Sequence, residues 1–104
     1  MNLVHILVDD IGKVMRMRKD DVERFHYAVK LCEAAGCVRT QELRQMTEIG
    51  IPVVSIASSM LKINATEAFG KFRDIEVTYQ DLLCILGAFA QDLMRRSQMP
   101  RYNG

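Results

Sequence analysis

Gly50 and Pro52 stand inside one apolar-periodic stretch, Thr40 to Ile63 (TQELRQMTEIGIPVVSIASSMLKI), and fix where the chain has to turn. A glycine directly after a helical pattern takes the left-handed conformation that closes a helix. A proline at the first position of the next helix loses nothing by lacking an N–H. Upstream, Leu43, Met46 and Ile49 repeat at helical spacing, and Thr40 is placed to cap that helix with its hydroxyl. Downstream, Val53, Val54, Ile56, Ala57, Met60, Leu61 and Ile63 cover most of a second helix. Its polar stripe is Ser55, Ser58, Ser59 and Lys62, spaced i, i+3, i+4, i+7. The stretch therefore reads as two short helices, 40–49 and 52–63, joined by a tight turn.

The remaining elements follow from the same periodicity. Leu3, Val4, Leu7, Val8, Ile11, Val14 and Met15 predict an amphipathic helix over 2–17, with Lys13, Arg16, Arg18 and Lys19 gathered at its end. Asp20 or Asp21 caps a helix over 21–35, whose line is Val22, Phe25, Val29 and Cys32 and whose stop is Gly36. His26 lies beside that apolar face, and no second histidine stands at metal-ligand spacing on the same element. Cys37 to Arg39 is a short extended link. The segment 69–78 predicts a β-hairpin with its tip at Phe69 to Asp74 and Ile75, Val77 and Tyr79 alternating along the returning strand; a short helix over 66–72 competes with it. Thr78 caps a long helix over 79–96, and Gln98 to Gly104 form a tail. The fold class is mostly α, a small helical domain of about five helices spanning 1–104.

Composition narrows the function classes. The 104 residues carry 14 basic and 13 acidic side chains, net +1, so bulk charge does not commit the chain to nucleic acid. Three cysteines without C-x-x-C spacing, and an N-terminal apolar run that ends at Asp9, point to free thiols and a cytoplasmic location with no membrane span. No glycine-rich phosphate loop, zinc-protease motif or nucleophile elbow is present, so neither an enzyme nor a cofactor or metal site is expected. Apolar residues of the last helix pass half its circumference, which suggests a homodimer through that helix or the N-terminal one.

Thr40, Glu42, Leu43, Ile49, Pro52, Val54, Ser55 and Leu61 stand in the order T-x-E-L, I-x-x-P-x-V-S, then L. That pattern resembles the helix-turn-helix of small winged-helix transcription regulators, over about a quarter of the chain. The resemblance implies a homodimeric DNA-binding regulator whose second helix of the pair enters the major groove. It makes Ser55, Ser58, Ser59 and Lys62 the groove-facing residues. Thr40 and Arg44 are added as contacts from the first helix, and Lys71 and Arg73 as phosphate contacts on a wing. The alternative is a helical protein–protein interaction module, an adaptor or inhibitor with no nucleic-acid role. Near-neutral charge and Met- and Leu-rich outer faces favour it.

Overall fold

A computed structural model of the chain describes residues 3–98, of which six helices take the greater part. The first, α1 (Leu3–Met15), buries Val4, Val8 and Ile11, spaced i, i+4, i+7 on one face. Gly12 is buried as well: a Cβ there would meet Val22 Cγ2 at 3.0 Å, so the missing side chain lets the next helix come close. That helix, α2 (Lys19–Ala35), buries Phe25, Ala28, Val29 and Cys32 and stops at Gly36, whose φ of 76° and N–H bond to Cys32 O (2.8 Å) close it as expected. The expected cap at Asp20 or Asp21 is displaced. The helix starts earlier, Arg18 occupies the cap without a side-chain bond, and both aspartates lie in the first turn, where they face the positive end of the helix dipole.

The central pair is present as α3 (Thr40–Glu48) and α4 (Val53–Leu61). Gly50 has φ 96°; its N–H bonds Thr47 O (3.0 Å), and Ile51 N–H bonds Met46 O (2.9 Å). This is a Schellman closure, with Ile51 and Met46 both fully buried beneath it. Thr40 does not cap α3. It is the first helical residue, Arg39 holds the cap position, and the Arg39 guanidinium bonds the carboxylate of Glu42 instead.

The predicted hairpin over 69–78 is absent, and the competing helix over 66–72 is what forms, as α5 (Ala65–Arg73). Asn64 caps this helix, its Oδ1 accepting from Glu67 N–H (2.8 Å) while its Nδ2 donates to Glu67 Oε1 (2.7 Å). Gly70 sits within the helix, not at a hairpin tip. The β content among the described residues is one isolated antiparallel bridge, Cys37 with Thr78, flanked by Val38 N–H to Val77 O and Tyr79 N–H to Gly36 O, each 2.9 Å. It ties the link before α3 to the segment leading into α6 (Tyr79–Gln98). Thr78 caps α6 as expected: Thr78 Oγ1 accepts from Asp81 N–H (3.0 Å), and Asp81 Oδ2 accepts from Thr78 N–H (2.9 Å).

Helix α1 packs on α6 and α2, α3 on α2, and α4 between α5 and α6. One core joins them, built on Phe25, Phe72, Met46, Ile51, Leu82 and Leu86, each with no exposed surface. Cys32, Cys37 and Cys84 are free thiols. Among the described residues no helix is long and apolar enough to cross a membrane. Beyond Gln98 the expected tail lies outside the described residues, as does residue 2 of the first expected helix.

Candidate interaction surface around the central helix pair

The residues of the polar stripe do not share one surface. Ser55 and Ser59 are exposed and line a groove between α4 and α6 with Phe89, Asp92 and Arg96. Asp92 and Arg96 pair across one turn of α6 at 2.8 Å. Ser58 is half-buried, and its hydroxyl donates to Ile63 O, tying down the end of α4. Lys62 is exposed but lies past the helix in the left-handed conformation, φ 56°.

The other expected contacts are dispersed as well. Thr40 and Arg44 are exposed and flank a shallow groove with Thr47, Val54 and Phe69. Lys71 and Arg73 stand on no wing. Two positions apart on a helix, they point roughly opposite ways. Arg73 is exposed, with Nε 3.3 Å from Asp74 Oδ1. Lys71 is half-buried in a cleft of about 250 Å³ between α4 and α6, with Met60, Leu61, Glu76, Asp81 and Ile85. Thus Thr40 comes together with Arg44, and Ser55 with Ser59, while Lys71 faces a third groove.

The outer face of the pair is less cationic than its sequence. Arg24 contacts Glu48 at 3.0 Å and Asp21 at 3.9 Å. Arg39 holds Glu42 with both ends of its fork, at 2.8 and 3.3 Å, and Glu42 is fully buried. That hydrogen bond first, and the carboxylate's charge second, raise the Arg39 pKa. Cys32, deeper in the same cluster, is pushed up to about 12 by burial and then by the Glu42 charge, which keeps it a protonated thiol.

Sequence reasoning missed one polar cluster. His5 Nδ1 lies 2.7 Å from His26 Nδ1, and His26 Nε2 lies 2.7 Å from Asp9 Oδ1, across the α1–α2 contact. His5 and Asp9 are four apart on one face of a predicted helix, which was the available signal; the arrival of His26 from another helix was not. Among the described residues no group of three or more His, Cys, Asp or Glu is arranged to hold a metal ion.

No family model matches this chain, and no curated protein or solved structure is significantly similar to it.

Proposed function

We propose that the chain is a non-enzymatic helical interaction module that docks an amphipathic helix of a partner protein in the cleft beside α4. The observation that carries this reading is the outer surface of α4. Of the four expected groove-facing residues, Ser55 and Ser59 offer only hydroxyls there, while beside them Met60 (46% exposed) and Leu61 (51% exposed) turn apolar side chains to the α4–α6 cleft. Groove readers use the forked groups of Arg, Asn and Gln to match purine edges, whereas exposed methionine and leucine beside an apolar cleft suit a helix face. The cleft has an apolar floor of Ala57, Val77 and Ile85. Lys71 stands on its rim with Glu76 and Asp81, so the fitting occupant is a helix with leucines at i, i+3, i+4 and i+7 and lysines on one flank.

The test is an anisotropy titration with a labelled synthetic peptide of that pattern. Saturable binding that is lost in the Met60→Glu/Leu61→Glu double variant supports the reading. No binding, or equal binding by the double variant, removes it.

A second reading, the homodimeric DNA-binding regulator, is favoured by one specific observation. The central pair is a helix–turn–helix, and Ser55, Ser59 and Lys62 on it are exposed. Its dimer contact would use Leu3 and Ile6 of α1, or Met94 of α6, all of which are exposed. Association with mixed-sequence duplex at low salt, weakened by Lys62→Ala or Arg44→Ala with a shallower salt slope, supports this reading. No association near millimolar protein discards it.

A further inference from the structure

Two ring nitrogens at hydrogen-bond distance hold one proton between them, since one has to donate and the other accept. That condition applies to His5 Nδ1 and His26 Nδ1, 2.7 Å apart, with the rings stacked at a centroid distance of 4.9 Å. Asp9 sets the order. Its carboxylate only accepts, so His26 Nε2, 2.7 Å away, carries a hydrogen. In the neutral pair His26 Nδ1 is then bare and receives the hydrogen of His5 Nδ1. One added proton keeps the contact, whether it sits on His5 Nε2 or on His26 Nδ1 with the bond reversed. A second added proton sets N–H against N–H between two adjacent cations, and the contact has to open.

We propose that His5, His26 and Asp9 form a proton-operated latch between α1 and α2, closed while the two imidazoles share at most one added proton and open when both are charged. On α1, Asp10 follows Asp9 directly and Lys13 lies one turn beyond it. On α2, Glu23 and Lys30 lie one turn either side of His26. On α6, Asp81 is engaged at the Thr78 cap, Asp92 pairs with Arg96 beside the α4 groove, and Arg95 is exposed. The latch sits near the start of α1, next to buried Val4 and Val8, so opening releases the first turns of that helix and bares the apolar surface of α2 and α6 that they cover.

The direction with pH follows from proton counting. The open latch binds one proton more than the closed one, so acid favours opening, by at most about tenfold per pH unit. Hydrogen exchange tests it on the whole chain. Corrected for intrinsic rates, the open population at the Leu7, Val8 and Ile11 amides should rise as the pH is lowered, by up to about tenfold per unit, ahead of the core amides of α2 and α6. In His5→Gln that rise should vanish, whatever the variant's absolute stability. A flat wild-type profile, or an equal rise in His5→Gln, overturns the latch. Nitrogen-15 spectra of the wild-type imidazoles at pH 8 give an independent check that needs no variant. His5 as the Nδ1–H tautomer and His26 as the Nε2–H tautomer support the latch, and any other pair of tautomers refutes it.

Discussion

Two of the helix ends have almost the same backbone and opposite chemistry. At the end of α3, Ile49 (φ −90°, ψ 7°) precedes Gly50; at the end of α5, Asp74 (φ −88°, ψ 9°) precedes Ile75. Both close by the same pair of bonds, the second being Ile75 N–H to Phe72 O (3.1 Å) with Glu76 N–H to Lys71 O (2.8 Å). The left-handed position holds a glycine at φ 96° in the first and a β-branched residue at φ 58° in the second. Hydrogen bonding therefore sets the closure, and the residue sets only its cost, which for an L-residue is about 1–2 kcal/mol. The turns also differ in what they cover. The first seals Ile51 over Met46 inside the core, while the second places Glu76 and Lys71 on the rim of the α4–α6 cleft.

The comparison is tested hardest at the residues whose carbonyls the two turns use. Phe72 is fully buried, and Phe72→Ala should cost about 3–5 kcal/mol by lost transfer energy and a residual cavity. Met46, equally buried under the glycine turn, should cost about 2–5 kcal/mol as Met46→Ala, since a flexible thioether leaves a void its neighbours fill more easily. Urea unfolding measures both. A Phe72 cost below about 1 kcal/mol would mean that α5 detaches locally and the second turn has no part in global stability.

The same two turns explain what was legible in the sequence. Gly50 followed by Pro52 announces its turn, so α3 and α4 were readable to within a few residues, as was α6 from Thr78 and its periodicity. Ile75 announces nothing, because an L-residue in the left-handed region has no composition signal. With the helix end hidden, Gly70 looked like a hairpin tip and the alternation of Ile75, Val77 and Tyr79 looked like a strand. The start of α5 was in fact written, as Asn64 with Glu67 three residues later, the pattern of a capping box. The candidate site was less legible still. Stripe residues that share a face by spacing were parted by where α4 stops: Ser58 turns to Ile63 O and Lys62 leaves the helix. His5 and His26 meet across 21 positions through α1–α2 packing, which periodicity does not register.

Exchanging the chemistry of the turns gives the next effect. Gly50→Ile puts into the first turn what the second already has. A Cβ at Gly50 has room, its nearest neighbour being Met15 Cε at 3.7 Å, so the cost is backbone strain, about 1–2 kcal/mol, offset by about 0.5–1 kcal/mol because the unfolded chain loses glycine's freedom. A lower urea midpoint with an unchanged slope is the expected result. A loss well above about 3 kcal/mol would show that φ 96° lies outside what isoleucine adopts, and that the turns are alike in hydrogen bonding only.

The reverse exchange, Ile75→Gly, should stabilise the chain. Relief of the left-handed strain gives about 1–2 kcal/mol, and the extra freedom of glycine in the unfolded chain takes back about 0.5–1 kcal/mol. The net gain is roughly 0.5–1 kcal/mol, read as a higher urea midpoint with the slope unchanged. Little packing is lost against this, because the Ile75 side chain is 58% exposed. A fall in stability would mean that the side chain packs more than its exposure indicates. The informative measurement is stability and peptide affinity on the same variant. If Ile75 is kept strained because a partner helix covers it, Ile75→Gly gains stability and loses affinity for the leucine-and-lysine peptide. If affinity is unchanged while stability rises, the strain serves no contact, and the two turns differ only in how well their residues suit them.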